Sequence, residues 1–362
     1  MKLPSLFKKT KTGAVQKCDI RTQNGTVFVS WGAVGSDNIQ VKETVCYPKN
    51  IGRSNETTAE QQAEKEARAK WEKKIKTGYV ENPSDESEIK LPMKIKKYQG
   101  QEKNVIFPCY ASPKLNGVNG EWRIINGELK LLSRGGKEYP ILEHERDAVL
   151  KTMEALDTDS LNVELYCHGM FLEDITSAVK KHNKNTPRIQ SFPFELPTVD
   201  YQYYDKISLL DITFLPKIDV VALHSHEEIL AYHQECVGQG YEGIVIRNAC
   251  CRYEYGVRSS DAFKLKVAID AEFKILDYSV DKNGHPVFVV DNPRGVQGKY
   301  QTFKVKPKGT TEQRIEVIEQ FEEKYLHKWY TVEFESWSKY GVPLKPVGIG
   351  LRKCNEQGEP LA

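Results

Sequence analysis

Phe107-Pro108-Cys109-Tyr110-Ala111-Ser112-Pro113-Lys114-Leu115-Asn116-Gly117 is the stretch on which the reading of this chain turns. A short apolar run meets a proline stop, and a lysine follows on a glycine turn. Near other cations and partly out of water, a lysine amine gives up its proton more readily and becomes a nucleophile. Lys-x-polar-Gly turns are also common on solvated surfaces. The meaning of Lys114 therefore depends on what accompanies it.

Downstream, Glu121-Trp122-Arg123-Ile124-Ile125 and Glu128-Leu129-Lys130-Leu131-Leu132 flank Asn126-Gly127. That turn chemistry predicts a hairpin, which delivers Ser133-Arg134-Gly135-Gly136. Residues 143–156 read as a helix. Leu161–Tyr166 reads as a strand that carries one carboxylate, Glu164, among apolar neighbours. Tyr203-Tyr204-Asp205 and Ser208–Ile212 read as another aromatic-rich strand, and about 225–237 as a helix. Glu242-Gly243-Ile244-Val245-Ile246-Arg247 is a β-branched strand led by a glutamate. In Ala262-Phe263-Lys264-Leu265-Lys266-Val267, two lysines stand two apart, so a strand points both to one face. Like charges so placed repel unless an anion sits between them, although an edge strand in water tolerates them. Glu272 to Thr302 reads as short strands with turns at Asn283-Gly284 and Pro293-Arg294-Gly295. Lys324 to Glu335 adds a further strand-like run.

Upstream, Thr26–Gly32 and Ile39–Lys42 alternate as a strand pair around a Gly35-Ser36 turn. A helix from about Thr58 to Thr77 places Ala63, Ala67, Trp71 and Ile75 on one stripe, and Gly78 suits its C-terminal cap. Residues 81–90 are polar and aperiodic, as a linker is.

The chain has 362 residues, 39% apolar and 28% charged, enough for two or three domains. No run approaches the length of a membrane span, and MKLPSLFKKTKTG lacks the apolar core of a signal peptide. An intracellular protein is expected: in the cytoplasm of a host cell if viral, in the nucleus or an organelle if eukaryotic. The eight cysteines contain no CxxC pair, so neither a zinc site nor a disulfide framework is suggested. Net charge is +2 but uneven. Residues 1–85 hold 15 Lys and Arg against 10 Asp and Glu, whereas the remainder holds 37 against 40. A basic N-terminal module suits a nucleic-acid partner.

Taken in order, Lys114, Arg134, Glu164, Tyr204, Glu242, Lys264 and Lys266 resemble the motifs of the ATP-dependent DNA ligases, within the covalent nucleotidyltransferase superfamily. Lys114-Leu115-Asn116-Gly117 stands for Lys-x-Asp-Gly, and Ser133-Arg134-Gly135 for the motif after it. Glu164 matches the glutamate strand and Tyr204-Asp205 the aromatic-Asp motif, for which Leu210-Asp211 is a rival placement. Glu242–Arg247 and Lys264-Leu265-Lys266 match the last two, and Gly341–Pro346 through Arg352 resembles the end of small viral ligases. The resemblance spans about residues 91–362. Trp31-Gly32-Ala33-Val34-Gly35, with Trp71 and Lys73-Lys74, resembles the WGR module of DNA-repair proteins. Three positions depart from these patterns: Asn116 for aspartate, Asn119 where arginine is frequent, with Arg123 as a possible replacement, and Ala33 for arginine.

The resemblance implies an α+β, multidomain protein. A WGR-like sheet-plus-helix module would occupy 1–85 and bind DNA. An ATP-grasp-like adenylyltransferase domain of antiparallel sheets would occupy 86–268, and an OB-fold β-barrel 269–362. It implies ATP and Mg²⁺, duplex DNA with nicks or ends as partner, and a monomer. Lys114 would take AMP. Lys264 and Lys266 would neutralise the α-phosphate, and Glu242 and Glu164 would bind metal or nucleotide. Tyr204 would stack on adenine, and Arg134 would hold a phosphate. RNA ligation, mRNA capping and non-catalytic DNA-end binding are the alternatives.

Overall fold

The computed structural model describes residues 1–361 except 11–12, 53, 85–90, 282–283 and 297–298, together with the side chains of 311 and 312. Most of the expected linker 81–90, and Asn283 of one expected turn, thus lie outside the described residues. The chain divides into two compact units. One is Met1–Lys94 with Leu132–Glu138 and Glu254–Arg258. The other is Ile95–Leu131, Tyr139–Tyr253 and Ser259–Ala362.

In the first unit, β1 (Leu6–Lys9), β2 (Val15–Gln23), β3 (Thr26–Ala33) and β4 (Gln40–Val45) form an antiparallel sheet in sequence order. The expected hairpin is β3 with β4. Helix α1 (Ala59–Ile75) begins at a capping box, in which the Thr58 hydroxyl accepts from the Gln61 amide and the Gln61 side chain accepts from the Thr58 amide. Its buried Ala63 and Ala67 meet Leu6, Cys18, Ile20 and Val27, and Trp31, Trp71 and Ile75 pack around them. Both tryptophans therefore belong to the core. Gly78 takes φ +89° just past the helix, as its glycine cap requires.

The second unit holds most of three further sheets. Its chain order is β5 (Lys94–Lys97), β6 (Cys109–Lys114), β7 (Val118–Ile125), β8 (Glu128–Ser133), β9 (Glu138–Tyr139), α2 (Arg146–Ala155), β10 (Ser160–Tyr166), α3 (Leu172–Lys180), β11 (Gln190–Glu195), α4 (Tyr203–Leu210), β12 (Val221–Leu223), α5 (His226–Gly238), β13 (Gly243–Asn248) and β14 (Arg258–Lys266). The first sheet runs β11-β10-β7-β8-β9 and the second β12-β6-β13-β14-β5. The β7–β8 turn is type I′, with Asn126 and Gly127 both at positive φ. Trp122, Leu131, Leu161 and Leu165 of the first sheet bury against Val149 and Met153 of α2 and Ile175 and Val179 of α3. The second sheet buries Cys109, Ala111, Ile244, Ile246, Phe263 and Leu265 against Ile229 and Cys236 of α5.

The third sheet has its own core. It comprises β15 (Ile269–Val280), β16 (Pro286–Asp291), β17 (Thr302–Val305), β18 (Trp329–Phe334) and β21 (Val347–Arg352), in the order β17-β16-β15-β18-β21. Between them lie α6 (Thr311–Glu319) and a small hairpin of β19 (Ser336–Trp337) and β20 (Pro343–Leu344). Phe273, Phe288, Phe321, Tyr330 and Phe334 fill the interior. The whole is a mixed fold of several antiparallel sheets and few helices.

Two sequence expectations are corrected. Residues 203–212 are not a strand: α4 covers Tyr203–Leu210. Tyr203 and Lys206 are buried and Ile207 and Leu210 follow at helical spacing, so the period is 3.6 rather than 2. Lys324 is not in a strand either, because Phe321–Tyr325 forms a π-helical turn and β18 starts at Trp329.

Candidate active site

Strand alternation on β6 sends Cys109 and Ala111 into the core and leaves Tyr110, Ser112 and Lys114 on the opposite face. Register then fixes the neighbours. Lys114 lies opposite Gly243, and Gly243 opposite Lys266; Ser112 lies opposite Val245, and Val245 opposite Lys264. All three predicted lysines therefore share one face across three adjacent strands.

The anion that such a face demands is Glu242. Its amide donates to the Lys114 carbonyl (3.0 Å), which seats its side chain beside both lysines. Lys114 Nζ donates to Oε2 at 2.5 Å, and Lys266 Nζ pairs with Oε1. Burial pushes the Glu242 carboxyl upward in pKa, but Lys114 and then Lys266 outweigh it, leaving the group below the usual carboxylate range. Lys266 moves the other way. Burial alone would lower its pKa, and its contacts with Glu242 and Glu335 raise it above the usual value.

Two glycines make this proximity possible. Gly243 has φ +143°, and a Cβ there would stand 2.0 Å from the Leu265 carbonyl oxygen and 2.9 Å from the Lys266 Cα. A Cβ on Gly117 would meet the Leu165 carbonyl oxygen at 2.5 Å and Glu164 Cγ at 3.0 Å. The turn after Lys114 thus presses against β10 of the other sheet, beside Glu164. That strand is internal to its sheet, flanked by β7 and β11.

Asn119 faces Glu164 across β7 and β10. It donates to Asn162 (2.9 Å), which donates to the Tyr253 hydroxyl (2.9 Å). Arg123 lies on the same face of β7 but is held by buried Glu121, which also accepts from Ser160 at 2.6 Å. Tyr204 is 58% exposed and touches Tyr110, with ring centroids 5.6 Å apart. Arg134 is exposed, on a tight turn closed by Gly136 donating to Ser133, and belongs to the first unit.

Sequence reasoning missed β11 and a buried network beside it. Arg247, on the lysine-bearing face, lies over the rings of Tyr203 (4.6 Å) and Phe194 (5.8 Å). Lys206 and Glu195 form a buried pair at 2.7 Å. A cavity of about 250 Å³ opens here, lined by Ser112, Phe194, Tyr203, Leu210 and Asp211 among others. The available signal was the arginine that closes Glu-Gly-Ile-Val-Ile-Arg: so buried a cation needs aromatic or acidic company.

Comparison with known proteins finds similarity to viral DNA ligases. The chain is 26% identical over 360 residues to the DNA ligase of an African swine fever virus Tick/Malawi isolate, covering 90% of this chain and 82% of that one. With the ligase of the Badajoz strain it shares 27% over 359 residues, at the same coverages. The chain is similar to these viral DNA ligases. No family profile matches it. Among solved structures, a Lig E DNA ligase described as binding DNA with a minimal scaffold superposes with TM-score 0.57 at 19% identity, covering 72% of this chain and 99% of that one. A structure designated Pmar-Lig PreS3 gives 0.60 at 17%, covering 81% and 73%. At such identities the structural likeness speaks for the fold alone.

Proposed function

We propose that this chain is an ATP-dependent DNA ligase that seals 3′-hydroxyl/5′-phosphate nicks through lysyl-AMP and DNA-adenylate intermediates. The observation that carries the reading is Lys114, Lys264 and Lys266 on one strand face, with the Glu242 carboxylate between two of them.

Lys114 is the nucleophile. Its nitrogen bonds to the α-phosphorus of ATP as the bond to the β-phosphate oxygen breaks, and pyrophosphate leaves with that electron pair. Before attack the ammonium loses a proton, and Glu242 is the base already in contact with it. Lys264 and Lys266 neutralise charge that grows on the phosphate oxygens. Arg134 holds a phosphate through its planar guanidinium. The cavity beside Ser112 is walled by Phe194 and Tyr203, which suits a purine base. Tyr204, against Tyr110, is the stacking residue expected from sequence.

Mg²⁺ neutralises phosphate charge when bound. Glu242 and Glu164 would be the oxygen donors to hold it. Among the described residues no group of three His, Cys, Asp or Glu is gathered to hold an ion. That donor set fits a cation that keeps nucleotide oxygens and water in its shell.

Residues 1–85 form a WGR-like DNA-binding module, 86–268 the ATP-grasp-like adenylyltransferase domain and 269–362 an OB-fold domain, in an intracellular monomer. The test is incubation with labelled ATP and Mg²⁺, then with nicked duplexes having DNA or RNA strands. Joining of the DNA nick with release of AMP is expected. Transfer of label only to RNA ends, or none after the lysine is labelled, would overturn the reading.

A further inference from the structure

Glu335 follows β18 and is presented by the β19–β20 hairpin, its amide donating to the Leu344 carbonyl (3.1 Å). Its carboxylate spans two cations. Lys266, from the nucleotide-handling sheet, stands 3.2 Å from Oε1, and Lys345, from the far side of the hairpin, 2.5 Å from Oε2. Burial pushes the Glu335 carboxyl up in pKa, but the two lysines bring it below the usual range. The hairpin itself is firmly seated. Trp337 packs on Phe334 at 4.7 Å and under Arg294 at 4.6 Å. Gly341 lies so close to Arg294 that a Cβ would meet its carbonyl oxygen at 2.0 Å.

Glu335 thus places a two-oxygen anion on a lysine whose task in the proposed reaction is to hold phosphate oxygens. A carboxylate and a phosphate present similar oxygen pairs to ammonium groups. We propose that Glu335 is a built-in competitor of the substrate's polyphosphate, and that Lys345 becomes a phosphate-binding residue when Glu335 gives way. While Glu335 sits on Lys266 it cancels one positive charge. Its side chain turning aside leaves Lys266 and Lys345 as a pair of cations for the outer phosphates of ATP or for departing pyrophosphate. A second tie from the same hairpin, Lys339 to Asp174 of α3 at 2.6 Å, carries no anion to the lysine face and serves as the control.

The inference rests on the ligase reading, and the test separates the two. It measures the ATP concentration dependence of lysine labelling, and the pyrophosphate concentration dependence of its reversal, in the full chain. Glu335→Gln keeps the shape and removes the charge. Half-saturating ATP and pyrophosphate should both fall, by roughly two- to fivefold, the range for a partly exposed ion pair. Lys345→Gln should raise both. Lys339→Ala should change neither. Unchanged or weaker binding in Glu335→Gln overturns the competitor role, as does an equal gain in Lys339→Ala, which would assign the effect to loosening of the hairpin. Wild-type protein that never takes label defeats the ligase reading itself.

Discussion

Gly243 and Leu265 approach so closely that a Cβ on the glycine would lie 2.0 Å from the leucine carbonyl oxygen. The contact joins β13 to β14 at the row where Glu242 enters the site. Gly243→Ala forces the strands apart and strains φ +143°, so it should destabilise the fold by about 1–3 kcal/mol. It should also reduce lysine labelling beyond what stability explains. Urea unfolding alongside single-turnover labelling checks both. A variant of native stability and activity would show that the strands yield freely.

Glu242 links pH to stability. Its folded-state pKa is depressed, so its contribution is present above the ordinary carboxylate pKa of about 4.3 and is lost as pH falls through the lower folded value. Glu242→Gln lacks that contribution. The difference in Tm between wild type and variant should be largest near neutrality and shrink on acidification below about pH 4. A constant difference across pH would contradict the ion-pair assignment. In activity, Glu242→Ala and Lys266→Ala should each lose on the order of 10²–10³ in labelling rate.

The buried Glu195–Lys206 pair braces the cavity wall. Removing one partner leaves a lone charge under protein, at a cost of about 3–5 kcal/mol, whereas replacing both with apolar groups costs much less. Glu195→Leu and Lys206→Met, singly and together, should show that non-additivity in thermal unfolding. Additive losses would mean that the two side chains act independently.

Lys114, Glu242, Lys264 and Lys266 were legible because a two-residue period states which side chains share a face, and register alone then brings the rows together. Phe194, Glu195 and β11 were not. Pro193 interrupts the run, and a proline is tolerated there only because β11 is an edge strand. Residues 203–212 misled through composition: tyrosine and isoleucine favour strands, yet burial of Tyr203 and Lys206 follows a helical turn. Nothing in the local sequence marks Glu335 either, because its partner Lys266 lies 69 residues away.

Residues 1–85 should bind duplex DNA without being needed for lysine labelling. Lys73 and Lys76 are exposed at the end of α1, and Lys74 lies 4.6 Å from the centre of the Tyr79 ring. Lysines at a helix C-terminus also favour the helix itself, so affinity must be measured against salt. Each phosphate contact removed should flatten the log–log slope by about 0.9. Equal slopes for the full chain and a chain starting near Leu91 would make the module structural. Loss of labelling in the folded shorter chain would show that the division cuts the catalytic domain.

The central claim is that Lys114 carries AMP. Wild type and Lys114→Ala are incubated with labelled ATP and Mg²⁺, denatured and compared, with folding verified by matched thermal unfolding. The wild type should retain label in an acid-labile, base-stable phosphoramidate bond and release it on adding nicked duplex. The variant should show none. A labelled band of wild-type intensity in folded Lys114→Ala would contradict the assignment of the nucleophile and, with it, the mechanism built on that face.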